Sequence, residues 1–386
     1  MSEFFQFQLR TRVLCKPGLL REVGPDIAQL GAQRAFIVAD AGVAAAGLLD
    51  LVRDALAGHI TIVGVFTDVP PNSSVASVEA GAAQARAVGA DLLIGLGGGS
   101  PIDTAKAMRI LITEGGTLRD HQGYNLLNRP LVPMIAIPTT SGTGSEVTSW
   151  AVIRDEDAQV KMTFSSSYLE PELALLDPEL TRGLPPKLTA ATGVDALTHA
   201  IESYVGNNAN PFTDAFALQA ITLIGQHLRT ATDNGDDMAA RAAMLNASCI
   251  AGIAYSCGGG SLGVVHALAH SVGGLFGVHH GTANAILLPH GMRFNAPAVP
   301  TRFRAVATAL GVAATGRADD TIIDAGVAAV VTLLTDCGLP LRLRDVGVPL
   351  EALEDLAELA ISDPAVYTNP RPVSVPQAYA IAQSAW

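Results

Sequence analysis

The first half of the chain alternates short, uniformly apolar runs with Ala-rich stretches of helical period. Four runs rich in β-branched residues predict strands at Arg34–Asp40, Ile60–Phe66, Asp91–Leu96 and Met134–Pro138. Helical patterns fall between them near 43–57, 73–88 and 101–113. Alternation at this spacing predicts a parallel sheet flanked by helices, and strands without polar alternation predict burial on both faces. Beyond about residue 186 the strand pattern stops. Ala/Leu-rich helical stretches follow at 187–205, 211–230, 237–255, 261–276, 281–295, 319–336 and 349–361. Leu184-Pro185-Pro186 marks the boundary, because proline breaks the preceding regular structure. The pattern predicts an α/β domain over residues 1–186, an all-α domain over 187–386, and a cleft between them.

Composition fits this division. A chain of 386 residues is long enough for two cores, and 49% hydrophobic with 16% charged residues describes a folded protein. The net charge of -12 argues against nucleic acid and anionic membrane surfaces as partners, since both require a basic face. Cys15, Cys249, Cys257 and Cys337 form no C-x-x-C pair and read as reduced, mostly buried thiols. The N-terminal MSEFFQFQLR lacks an apolar stretch of signal-peptide length, and no apolar run reaches the roughly 18 residues of a membrane span. A soluble, cytoplasmic protein is expected.

Two loops carry candidate chemistry in the first half. In Leu93–Lys106 a strand runs into Gly97-Gly98-Gly99-Ser100-Pro101 and then a helix containing Asp103. Glycines let a ligand approach the backbone, and the first-turn N–H groups with the helix dipole suit a pyrophosphate. Pro101 is placed for the first turn, and Ser100 for capping the helix or donating to a phosphate oxygen. Taken alone, the cluster also fits a plain strand-to-helix turn, and Ser100 stands where the usual fingerprint has a third glycine. The second loop, Pro138–Glu146, again follows a strand and carries Thr139, Thr140, Ser141, Thr143 and Ser145. Two such loops at the ends of buried strands point to a nucleotide site in a Rossmann-like α/β domain.

Histidine clustering distinguishes the second half. Five of the nine histidines lie between residues 266 and 290. His266 and His270 stand at i, i+4, as do Asp195 and His199 seventy residues earlier. That spacing puts both members of each pair on one helical face, about 5–6 Å apart at Cβ. His279-His280 follows a glycine-containing turn. A carboxylate with several imidazoles suits a borderline first-row divalent metal rather than calcium or magnesium. A lone helical histidine is usually an ordinary core or surface residue, but two spaced pairs in apolar helices would be costly without a partner. His290 reads as structural, and His59, His121 and His227 as surface residues.

With these residues in view, the chain strongly resembles the iron-containing (group III) alcohol dehydrogenases. The matching stretches are GGGSPIDTAKA (97–107), PTTSGTGSEVT (138–148), TAATGVDALTHAIESYV (189–205), HALAHSVGGLFGVHHGTANAILLPHGMRFN (266–295) and NPRP (369–372). The resemblance implies an N-terminal dinucleotide-binding domain followed by an all-α metal-binding domain. It implies metal ligands at Asp195, His199, His266 and His280, for Fe(II) with Zn(II) as the alternative ion. His270 then falls beside the nicotinamide as the catalytic histidine. The implied cofactor contacts are Gly97, Gly98, Gly99, Ser100, Asp103, Thr139, Thr140 and Thr143, with Asn72 and Lys161 as further ones. Asp40 matches the position that engages the adenosine ribose. An acid there repels a 2′-phosphate, so NAD is expected over NADP. A homodimer or larger homo-oligomer is also implied.

The family commonly has proline at the positions of Ser271 and His279, and Cys257-Gly258-Gly259-Gly260-Ser261 is unusually glycine-rich and expected to border the substrate pocket. The function expected is hydride transfer between NAD(H) and a small alcohol or aldehyde whose oxygen a metal polarises. Reduction of a small oxo-acid of the maleylacetate or succinic semialdehyde type is the alternative. An NAD- and metal-dependent cyclising lyase is a further reading, but it requires a basic pocket that the metal-bearing helices do not supply. A non-catalytic metal or redox sensor is the remaining alternative.

Overall fold

The computed structural model describes residues 4–158, 160–258 and 261–386; Gly259 and Gly260 of the glycine-rich stretch lie outside them. These residues form two compact units. One comprises Leu9–Thr140 with Gly144–Gly183, and the other takes in the chain up to Gln8, Ser141–Thr143 and Leu184–Trp386.

The first unit holds nine strands: β1 Arg12–Cys15, β2 Arg34–Val38, β3 Thr61–Phe66, β4 Leu92–Gly97, β5 Gly123–Tyr124, β6 Met134–Pro138, β7 Trp150–Asp155, β8 Val160–Ser165 and β9 Leu173–Leu176. Its helices are α1 Gly24–Ala28, α2 Ala41–Ala45, α3 Leu48–Leu56, α4 Val75–Ala87 and α5 Gly99–Glu114. Six strands make one sheet in the order β1-β9-β6-β4-β2-β3, and every pairing in it is parallel. β4 and β6 are buried along their whole length, as uniformly apolar runs require. The chain passes from β2 to β3 on one side, then returns to place β4 on the other side of β2. Doubly wound sheets bind ligands at the carboxyl ends beside such a reversal.

Several elements differ from the sequence expectation. The strand at Arg34 ends at Val38, so Asp40 lies beyond it and caps α2, its Oδ1 accepting from Val43 N at 2.8 Å. The helix expected over 43–57 is two, α2 and α3, separated at Gly47 in the left-handed region (φ 75°). β7 and β8 pair antiparallel and join β5 in a second, three-stranded sheet. Burial alternates along both, with Ala151, Ile153, Met162 and Phe164 facing inward, so one face is buried. A search for uniformly apolar runs passes over that pattern.

The second unit contains, among the described residues, helices α6 Pro186–Val205, α7 Pro211–Asp233, α8 Met238–Ser256, α9 Val264–Phe276, α10 His280–Asn295, α11 Pro300–Ala309, α12 Asp319–Asp336, α13 Leu353–Ser362 and α14 Val375–Ser384. α6 is buried around almost its whole circumference, with α7, α8 and α10 packed on it. The N-terminal segment belongs here: Phe7 stacks on Phe212 and Phe216 at 5.3 and 5.8 Å between ring centroids, and Gln8 N donates to Cys257 O.

Inside the first unit, α5 carries two fully buried cations one turn apart, Lys106 and Arg109. Arg109 donates to the carbonyls of Val132, Leu169 and Glu170, and Nη2 reaches the Glu172 carboxylate at 2.9 Å. One guanidinium thus ties the helix to the segments leading into β6 and β9. Arg109→Leu orphans three carbonyls, each costing about 1–3 kcal/mol if left unpaired. The expected outcome is a loss of about 3 kcal/mol or more in urea unfolding; a loss below about 1 kcal/mol contradicts the clamp.

Candidate functional site

The helical unit gathers the four residues expected to ligate a metal, with His270 beside them. Asp195 and His199 share one face of α6, His266 and His270 one face of α9, and His280 opens α10. Ligand atoms of Asp195, His199 and His266, all three buried, lie within 4.8 Å of one another. Asp195 Oδ1 stands 3.9 Å from His266 Nε2 and 3.5 Å from His280 Nε2. Ligand bonds of about 2.0–2.2 Å in a tetrahedral site put donors about 3.3–3.6 Å apart, close to the 3.5 and 3.9 Å separations around Asp195. His199 stacks on His266 at 4.5 Å between centroids, and His270 on His280 at 5.2 Å. His279 is exposed at the N-cap of α10, so of the neighbouring histidines it is His280 that joins the cluster.

The polar atoms in this cluster point to what they hold. His266 Nε2 and His199 Nδ1 are buried with no hydrogen-bond partner. Uncompensated polar groups in such surroundings cost several kcal/mol, and a cation compensates them. Burial lowers the His199 pKa to about 4 against the attraction of Asp195, with His266 and His270 adding to the depression. His199 is therefore neutral at pH 7, with its lone pair free to ligate. Three imidazoles and one carboxylate fit a borderline divalent ion such as Fe(II) or Zn(II).

Residues that the sequence reading did not single out complete the cluster. Glu202, one turn beyond His199 on the same face of α6, accepts from His266 Nδ1 at 2.6 Å. Asn284, one turn beyond His280, donates from Nδ2 to Asp195 Oδ1 at 2.6 Å. Tyr255 stacks on His199 at 4.5 Å, and its hydroxyl donates to Thr143 O at 3.0 Å. Asp363 Oδ2 stands 2.7 Å from His270 Nδ1, while its Oδ1 accepts from Ala365 N. Glu202 and Asn284 carried the same one-turn spacing that flagged the histidines; Asp363 carried no signal.

In the α/β unit, three adjacent parallel strands deliver the expected cofactor residues to one edge. Asp40 follows β2, Gly97–Ser100 close β4 and open α5, and Thr139 and Thr140 follow β6. Gly97 has φ 143°, and a Cβ there would lie 2.7 Å from Pro101 Cγ and 3.3 Å from Val43 Cγ2. Gly98, not Ser100, is the N-cap of α5, and it supplies no side-chain acceptor for the first-turn N–H groups. Ser100 Oγ instead accepts from Asn72 N at 3.2 Å, which sets Asn72, itself at φ 61°, beside the glycine turn. Lys161 pairs across β7/β8 with Arg154, whose N–H donates to Ser73 O. Thr143 belongs to the helical unit.

Asp103 faces inward. Its Oδ1 accepts from Ser145 Oγ and its Oδ2 from Val152 N, so both oxygens are engaged within the protein. Lys106 Nζ donates to Thr148 O and Oγ1 and to Trp150 O at 2.7, 2.9 and 2.8 Å. The pair pins the segment after the hydroxyl-rich loop onto α5. Burial lowers the Lys106 pKa to about 8, with Asp103 and Glu146 opposing, and burial raises the Glu146 carboxyl to about 7.

Comparisons with known proteins cover both units. The family model described as iron-containing alcohol dehydrogenase matches residues 10–178, and the C-terminal model of the Fe-containing alcohol dehydrogenase family matches 189–386. The chain is 40% identical over 358 residues to the NAD-dependent methanol dehydrogenase of Bacillus methanolicus, covering 93% of each. It is 40% identical over 357 residues to the 1,3-propanediol dehydrogenase of Klebsiella pneumoniae, covering 92% of each. Among solved structures, a 1,3-propanediol oxidoreductase superposes with TM-score 0.94 at 37% identity over the whole of both chains. The alcohol dehydrogenase from Oenococcus oeni gives TM-score 0.94 at 33% identity, covering 99% of this chain and 100% of that one.

Glu146 generates a pH test. Its folded pKa, about 7, lies above the ordinary 4.5, so the stability it contributes is present at low pH and lost as pH rises through about 7. Glu146→Gln removes that titration. Its melting temperature relative to wild type should therefore increase between pH 5 and pH 8; an offset equal at both pH values contradicts the assignment.

Proposed function

This chain belongs to the iron-containing alcohol dehydrogenase family and is a metal-dependent, NAD-linked alcohol dehydrogenase; we propose the following roles for its residues. Asp195, His199, His266 and His280 hold the divalent ion, Fe(II) or Zn(II). The observation that carries this is the convergence of one carboxylate and three imidazoles, two of them with buried, unpartnered ring nitrogens. When bound, the ion supplies Lewis acidity toward an alcohol or carbonyl oxygen, and the nicotinamide supplies the hydride acceptor or donor.

The protein's own groups set the stage for that chemistry. Burial keeps His199 neutral, and Asn284 holds Asp195 by one carboxylate oxygen. His270, oriented by Asp363, is the group that moves a proton between the substrate oxygen and solvent. Gly97–Gly99 and the first turn of α5 take the pyrophosphate, with Ser100 and Asn72 beside it. Asp40 binds the adenosine ribose and disfavours NADP, while Thr139, Thr140, Thr143 and Lys161 line the rest of the dinucleotide path. Asp103 acts through Ser145 by fixing the second loop.

The relatives' names, methanol and 1,3-propanediol dehydrogenases, support short primary alcohols and their aldehydes as the substrate class. Two domains, dinucleotide-binding over 1–186 and metal-binding over 187–386, divide the labour. A homodimer or larger homo-oligomer is the assembly implied by the family resemblance, and the spacing of the four cysteines supports a cytoplasmic location. Among the described residues no helix is long and apolar enough to cross a membrane.

The test is metal analysis of the purified protein together with NADH absorbance over a panel of alcohols and aldehydes, before and after chelation. Chelator-sensitive turnover restored by Fe(II) or Zn(II) is the expected outcome, and chelator-insensitive turnover would falsify the metal's role. Asp195→Ala and His266→Ala should lose metal and turnover together. His270→Ala should retain metal and lower kcat by about 10²–10⁴-fold; loss of metal in that variant reassigns His270 as a ligand.

A further inference from the structure

Glu202 does more than touch His266. It is buried, and it accepts four donors, all from the start of α9. Oε1 accepts from Val265 N at 2.8 Å. Oε2 accepts from Gly263 N at 2.8 Å, from His266 Nδ1 at 2.6 Å and from His266 N at 3.4 Å. Gly263, the N-cap of α9, provides no side-chain acceptor of its own. A Cβ there would lie 2.6 Å from Glu202 Oε1, so glycine is what admits the carboxylate. The remaining first-turn donor, Val264 N, goes to Asn369 Oδ1 at 3.2 Å. Glu202 thus caps α9 from outside the helix, in the place a Ser or Asp N-cap would fill.

We propose that Glu202 is a positioning residue for metal binding, holding His266 with its proton on Nδ1 and its Nε2 lone pair turned toward Asp195. The proposal rests on the metal assignment above and extends it. Four donors leave this carboxylate no room to act as a donor itself, so the proton it shares with His266 sits on the imidazole Nδ1. His266 Nε2 is then the acceptor nitrogen, and it is the one buried without a hydrogen-bond partner. Because Asp195, His199 and Glu202 lie along one face of α6, a single helix supplies two ligands and orients a third on its neighbour. The same carboxylate orders the first turn of α9, so ligand geometry and helix start are set together.

The experiment is a Zn(II) affinity measurement by competition with a chromophoric chelator on wild type, Glu202→Gln and Asn369→Ala. An amide turns one acceptor into a donor facing N–H groups, so Glu202→Gln should weaken Zn(II) binding by about 10–100-fold. NAD affinity, read by fluorescence, should stay at the wild-type value. Asn369→Ala removes the other cap of α9 without touching His266, and its Zn(II) affinity should match wild type. Equal weakening in both variants would reduce Glu202 to a helix cap, and wild-type affinity in Glu202→Gln overturns the proposal outright. A wild-type protein that binds no Zn(II) or Fe(II) sinks the metal assignment itself. If Glu202→Gln does not fold, long-range ¹H–¹⁵N NMR of the Zn(II)-loaded wild type decides. His266 protonated at Nδ1 supports the proposal, and protonation at Nε2 refutes it.

Discussion

The helical unit depends on a cluster of buried polar donors that its own hydrogen bonds do not satisfy. Asp195, His199 and His266 sit among Ala, Leu and Val side chains, where a ring nitrogen without a partner is a standing cost. A divalent cation removes that cost, so ligand binding and the stability of this unit are linked. Much of the surrounding packing follows from bringing the donors together. α6 is buried nearly all round, small residues line it, and α7, α8 and α10 approach it closely.

Around the donors a set of hydrogen bonds fixes orientation. Glu202 holds His266, Asn284 holds Asp195, and Asp363 holds His270. Glu202 engages Nδ1 of His266 and leaves its Nε2 turned toward Asp195. Side chains held in orientation by such neighbours need little reorganisation to meet a cation or a substrate. In the α/β unit the same logic operates through charge inside the core. Asp103 and Lys106 on α5 reach Ser145, Thr148, Trp150 and Val152, so the loop after β6 is held by the helix that opens at the glycine turn.

The parts legible in the sequence were those with a local period. Asp195 with His199, and His266 with His270, announce a shared helical face by spacing alone, and uniformly apolar β4 and β6 announce a buried parallel sheet. β7 and β8 escape a search for uniformly apolar runs because Arg154 and Asp155 end β7 after four apolar residues and Lys161, Thr163 and Ser165 interrupt β8. Glu202 has the right spacing on α6, but a carboxylate one turn from a histidine is common on helices, and its partners are 61 to 64 residues away. Asp363 meets His270 across 93 residues, and Asp103 meets Ser145 across 42, distances at which no periodicity speaks. Asp103 stands beside the glycine turn, where a ligand contact is expected, and its oxygens also accept from Ser145 Oγ and Val152 N, which no spacing announces.

The aromatic strap at the N-terminus bears on how the chain is made. Phe5 and Phe7 rest on Phe212 and Phe216 of α7, while almost everything between them belongs to the other unit. On the ribosome, the strap emerges roughly two hundred residues ahead of its platform. At about 5–20 residues per second it waits on the order of 10–40 s, exposed, while the α/β unit is completed behind it. The helical unit therefore closes on a segment made roughly two hundred residues before its platform, and the strap stays without that platform until α7 has been made.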